Sequence, residues 1–98
     1  MIIVAGTIDV APEQRDSYLE SRKEAMLAAR TEDGCIDYAY SADIGDPGRV
    51  RLFEVWGNRA ALDAHVVRMR AGGRGPGAVP VIARAVASYE IATGPSAL

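Results

Sequence analysis

In the stretch EVWGNRAALDAH (residues 54–65), the one tryptophan and the one histidine of the chain stand nine residues apart. His65 is the side chain whose ordinary pKa lies near neutrality, so it suits a general base or a hydrogen-bond partner to a phenol. Trp56 supplies a broad aromatic wall with one N–H donor at its edge. Tyr38 and Tyr40 alternate onto one side of CIDYAYSA, a phenol-bearing surface suited to a flat aromatic ligand. Glu54 shares a strand face with Trp56. A carboxylate inside a sheet needs a partner, because an unpaired buried charge is costly. Arg49, Arg51 and a second subunit are the partners the sequence offers. Each of these residues also has a plain structural reading: a satisfied core histidine, packing aromatics, an ion pair.

Other chemistries find less support. One His and one Cys cannot supply H-E-x-x-H, H-x-x-x-H or C-x-x-C, so no metal ligand set is expected. The glycine-rich GGRGPG at 72–77 follows a helix instead of a strand, which excludes the Rossmann turn. It reads as a connector, or as a lid that brings Arg74 to an anionic substrate group. Cys35 lies beside Gly34 with no base nearby and reads as a small buried hydrophobe.

These residues are positioned by a chain of 98 residues, which suggests one domain over 1–98. Its formal net charge of −2, from 13 acidic and 11 basic residues, disfavours nucleic acid and anionic membrane as partners. A single cysteine allows no intrachain disulfide and suits a reducing, cytoplasmic setting. No signal peptide or membrane span is expected, since Asp9 interrupts the apolar opening and no basic region precedes it.

IIVAGTIDV alternates with Ile2, Val4, Ile8 and Val10 on one side, which predicts a strand. PEQRDSYLESRKEAMLAAR opens on Pro12, suits a helix start, and lays Tyr18, Leu19, Arg22, Met26 and Ala29 along one stripe. CIDYAYSA predicts a second strand with Ile36, Tyr38 and Tyr40 on one face. RVRLFEVW predicts a third, with Val50, Leu52, Glu54 and Trp56 opposite Arg51, Phe53 and Val55. The intervening Asp-Pro-Gly makes these two a hairpin. Asn58 caps a helix that runs to about Met69, and VIARAVASYEI predicts a last strand, firmest over 86–91, before a flexible tail at 93–98.

The order β-α-β-β-α-β is the ferredoxin-like arrangement of the α+β class: a four-stranded antiparallel sheet with two helices on one face. Both faces of the first and third strands are apolar, so a second copy of the sheet is expected against the uncovered face, as a homodimer.

With that layout, VAPEQRDSYLE, EDGCIDYAYS, DPGRVRLFEVW and NRAALDAH resemble the antibiotic biosynthesis monooxygenase family, which includes quinol monooxygenases. The ordered set E-x-W followed by L-x-x-H carries the resemblance, over residues 1 to about 69. The resemblance implies a dimeric α/β barrel with a pocket between sheet and helices. It also implies oxidation of a quinol-like or polycyclic phenolic substrate by molecular oxygen, with no bound flavin, haem or metal. His65 carries over as the catalytic helix histidine, and Trp56 and Tyr38 as pocket lining, with Arg74 a more distant substrate contact. The haem-degrading relatives use an Asn on the first strand, and AGTI here contains none. Two further functions share the same pocket: a non-catalytic aromatic-ligand-binding or regulatory protein, and an isomerase or cyclase.

Overall fold

A computed structural model describes residues 1–73 and 77–98. The elements run β1 (Ile2–Val10), a 3-10 turn (Pro12–Gln14), α1 (Arg15–Ala29), β2 (Cys35–Ala42), β3 (Arg49–Trp56), α2 (Arg59–Gly72) and β4 (Val81–Glu90). The sheet is antiparallel throughout in the order β2-β3-β1-β4, so the ferredoxin-like topology is as the sequence predicts.

The alternation read from sequence sorts the two faces. Ile2, Val4, Ile8 and Val10 are buried, as are Val50, Leu52, Glu54 and Trp56. Antiparallel register carries these positions across the sheet, giving the rows Tyr38–Glu54–Val4–Ser88 and Cys35–Trp56–Ile2–Glu90. α1 packs over β2 and β3, and α2 over β3. β4 stays exposed along most of its length, with Val81 and Val86 half-buried. On the uncovered face Phe53 and Tyr89 remain exposed beside Ile3 and Val55.

The expected barrel is not formed. β2 and β4 each have a strand on one side only, so the sheet is open and has two edges. Four strands provide too little hydrogen-bonded circumference to close on themselves, which takes roughly twice that number.

Two local expectations also change. A register shift between Cys35 and Asp37 is a bulge that adds one residue to β2. Ile36 therefore leaves the face of Tyr38 and Tyr40 and is 59% exposed, whereas Tyr38 is 3% exposed. α2 continues past Met69 through Gly72 and stops where Gly73 takes a φ of 61°, a turn that glycine makes without a Cβ penalty. β4 starts at Val81, where VIARAVASYEI places the last strand, and pairs with β1 from there onward.

Candidate functional site

Asn58 starts α2 by accepting the Ala61 N–H at 2.8 Å, satisfying one of the orphan donors of a helix N-terminus. From that start, Leu62 and His65 fall on the buried face of α2. The loop between α1 and β2 comes close beneath. Gly34 has a φ of 83°, and a Cβ built there would stand 2.5 Å from the Cβ of Ala61. A second tie joins the corner, from the Gly57 N–H to the Gly34 carbonyl at 2.8 Å. Only glycine meets both demands, and the close approach that results brings Glu32 to His65.

Tyr38, Trp56 and His65, named from sequence on three separate elements, meet in one buried cluster. The Trp56 and His65 ring centroids are 4.8 Å apart, tilted by 35°. The Tyr38 ring stands 5.3 Å from His65 and 6.4 Å from Trp56, edge-on to both. Trp56 is fully buried and His65 is 4% exposed. Arg74 lies outside the described residues.

Glu54 finds its partner in Trp56, whose indole Nε1–H donates to Oε1 at 2.8 Å. The arginines suggested from sequence are engaged elsewhere: Arg49 with Asp9 and Arg51 with Asp43. Burial pushes the Glu54 carboxyl above its ordinary value. The Trp56 hydrogen bond, the charge of His65 and the Tyr38 hydroxyl only partly offset that. Burial also pushes the Tyr38 phenol well up, with Tyr40 and Glu54 adding to it, so Tyr38 stays a neutral hydroxyl at any working pH.

Sequence reasoning missed Glu32. One carboxylate oxygen lies 2.6 Å from His65 Nδ1 and the other 2.6 Å from Arg68 Nε. Burial raises the Glu32 pKa, but the hydrogen bonds and charges of Arg68 and His65 outweigh it and leave the carboxyl below its ordinary value. An ionised carboxylate can only accept, so Nδ1 carries the hydrogen. In the neutral ring, the lone pair then lies on Nε2. The only sequence signal was an acid just before Gly34, which spacing alone could not tie to a residue 33 positions on.

Cys35 stays out of the chemistry. Burial and the nearby Glu32, Glu54 and Asp37 push its thiol up, which disfavours the reactive thiolate. Among the described residues, no group of three or more His, Cys, Asp or Glu converges to hold a metal ion. Also among the described residues, no helix is long and apolar enough to cross a membrane.

Comparison with known proteins bears on the family of this chain. An uncharacterised protein of Synechocystis is 39% identical over 64 residues, covering 65% of this chain and 44% of its own. YcnE of Bacillus subtilis, a candidate monooxygenase, is 28% identical over 65 residues, covering 66% and 68% respectively. This chain therefore aligns with less than half the length of the cyanobacterial relative. Among solved structures, a candidate antibiotic biosynthesis monooxygenase from Deinococcus radiodurans superposes with a TM-score of 0.77, covering 100% of this chain and 99% of that one. At 21% identity that likeness speaks for the fold alone. The profile of the family described as "Antibiotic biosynthesis monooxygenase" matches residues 1–68, a span that holds Glu32, Tyr38, Glu54, Trp56 and His65, and the chain belongs to that family.

Proposed function

We propose that this chain is a monooxygenase that oxidises a quinol-like or polycyclic phenolic substrate with molecular oxygen, without a bound cofactor. The observation that carries the reading is the Glu32–His65 pair, 2.6 Å long, set against the aromatic rings of Trp56 and Tyr38. With Nδ1 held by Glu32, Nε2 of His65 accepts the phenolic proton. The imidazolium that forms is stabilised by the ionised carboxylate already in place. The substrate, now an electron-rich anion, supplies the electrons to oxygen. One oxygen atom enters the product and the other leaves as water. Trp56 and Tyr38 flank the ring and keep bulk water out. Because the three rings pack against one another in the free protein, substrate admission requires α2 to move off β3.

The partner we infer is a second copy of the chain, sheet to sheet through the face that carries Ile3, Phe53, Val55 and Tyr89. Sedimentation tests this: a stable 10.4 kDa species at micromolar concentration would refute the homodimer.

The activity is tested by anaerobic mixing with a panel of hydroquinones and anthrones, followed by oxygen. Product mass should rise by one oxygen atom with loss of two hydrogens. Loss of the proton-accepting ring in His65→Ala should slow turnover about 10²–10⁴-fold. No substrate consumption above the protein-free rate, or unchanged traces with His65→Ala, would refute the oxygenase reading. A product of unchanged mass would mark an isomerase instead. The aromatic surfaces of Trp56 and Tyr38 beside His65 also suit one rival, a protein that binds an aromatic ligand without turnover.

A further inference from the structure

α2 is fastened unevenly along its length. Its N-terminal turn is pinned: Asn58 caps it, Ala61 rests against Gly34, the Gly57 N–H bonds the Gly34 carbonyl, and Leu62 is buried. Past His65 the packing thins. Val66 and Met69 are half-buried, and the other residues of 66–72 are exposed. So little burial gives this half of the helix a weak hydrophobic hold on the sheet. Its polar ties converge instead. His65 and Arg68 stand three residues apart and so on one side of the helix. Both end on the Glu32 carboxylate, with His65 Nδ1 at 2.6 Å from one oxygen and Arg68 Nε at 2.6 Å from the other. The Arg68 side chain is 54% exposed and that of Glu32 16%, and a charge pair with one partner in water adds little stability. Beneath this half of α2, the His65 ring lies 4.8 Å from that of the fully buried Trp56.

We propose that residues 65–72 of α2 form a lid over Trp56, and that Glu32 is its latch. The lid swings about the pinned N-terminal turn and carries His65 with it, opening the face of Trp56 to a flat aromatic substrate. Segments with little buried apolar surface, tied down by exposed bonds, open locally while the rest of the domain stays folded. The carboxylate that shuts the lid is also the one that fixes the hydrogen on Nδ1 of His65. Closure therefore completes the base. Nε2 presents its lone pair, with a compensating charge behind the ring, once the latch has formed over the substrate. This coupling rests on the proton-accepting role of His65 proposed above; the lid itself does not.

His65 is the single histidine of the chain, so its carbethoxylation by diethyl pyrocarbonate at pH 8 reads the opening on the intact protein. A ring shielded by a closed lid should react about tenfold or more slowly than in the urea-unfolded chain. Arg68→Gln removes one tie without touching His65 and should raise the rate about two- to fivefold, the range that loss of a partly exposed charge pair supports. Arg59→Gln breaks the Arg59–Glu90 pair at the pinned end of the same helix and should leave the rate unchanged. In wild type the rate should stay flat in urea below the unfolding transition, because a lid that opens locally exposes little new surface. A wild-type rate equal to that of the unfolded chain overturns the proposal without any variant having to fold. So does a rate that Arg68→Gln leaves unchanged, an equal rise with Arg59→Gln, or a rate that climbs with urea as global unfolding does. No readout uses oxygen or turnover, so failure of the lid and failure of the oxygenase reading are separate results.

Discussion

Trp56→Phe should be among the most destabilising conservative changes in the chain, and its cost should depend on Glu54. The indole is fully buried and its N–H donates to Glu54 at 2.8 Å, with Glu54 itself 4% exposed. Phenylalanine fills most of the space, so lost packing contributes about 1 kcal/mol. Losing a hydrogen bond to a buried charged acceptor adds roughly 1.5–3 kcal/mol. A total near 3 kcal/mol corresponds to a fall in Tm of about 12–24 °C for a domain this size. Glu54→Gln keeps a carbonyl for the indole and removes the charge, so Trp56→Phe in that background should cost about 1–2 kcal/mol less. That difference is the coupling energy of the pair. Urea unfolding at pH 8, followed by far-UV circular dichroism, yields all four corners of the cycle. Glu54→Gln should carry a second signature. Because the folded-state carboxyl is raised above its ordinary value of 4.5, the folded protein binds more protons than the unfolded chain in the window above that value. Stability contributed by Glu54 therefore falls as pH rises through the window, and the glutamine variant loses that slope. If Trp56→Phe costs the same within 0.5 kcal/mol in both backgrounds, the pair carries no coupling energy and the reasoning fails.

Glu32→Gln should act in the opposite pH range. The depressed carboxyl stabilises the fold above its ordinary value of 4.5 and loses that contribution as pH falls through the folded value. Wild type should be more stable than the variant at pH 7, with the gap narrowing as pH falls below 4.5 in thermal melts. The same variant should lose the single Nδ1–H tautomer of His65, read by ¹⁵N imidazole shifts. Gly34→Ala should cost about 2–4 kcal/mol, from a left-handed backbone together with the 2.5 Å approach to Ala61, measured by denaturant unfolding. Asn58→Ala should cost about 1 kcal/mol through loss of the α2 cap, without altering the His65 imidazole shifts.

What was legible in the sequence followed from strict periods. Val50, Leu52, Glu54 and Trp56 share a buried face because strand side chains alternate, and one bulge was enough to defeat the same reasoning at Ile36. Asn58 was legible because a cap acts three residues away, on Ala61. Glu32 was not legible, since its bond to His65 spans 33 positions and depends on a backbone turn at Gly34. Trp56 as the partner of Glu54 was not legible either, because a buried carboxylate calls for a cation by charge alone, whereas a neutral indole two residues along the same strand face meets it. Arg22 falls on the α1 stripe read from sequence and is half-buried there. The open sheet was beyond the family analogy as well, because β2 and β4 keep free edges.

The two carboxylates around His65 are driven in opposite directions, and that contrast decides what the histidine can do. Glu32, bonded by Arg68 and His65, is held below its ordinary value, so it carries negative charge beside Nδ1 at neutral pH. Glu54, bonded by the neutral Trp56 indole and Tyr38 hydroxyl within its burial, is pushed above its ordinary value and offers a weaker negative field beside Trp56. Sites in which neighbouring environments split the pKa values of like groups commonly divide acid from base work. Here the division favours a proton moving onto His65 and staying there, since the ionised Glu32 compensates the imidazolium. Exchanging the two environments would reverse the outcome. An Arg68→Gln change takes one hydrogen bond and one positive charge from Glu32, and the Glu32 carboxyl should rise. If the histidine accepts a proton because Glu32 is already ionised, the acid limb of any pH–rate profile should move upward in that variant. A profile unmoved by Arg68→Gln would mean that Glu32 orients His65 and contributes no charge to the step.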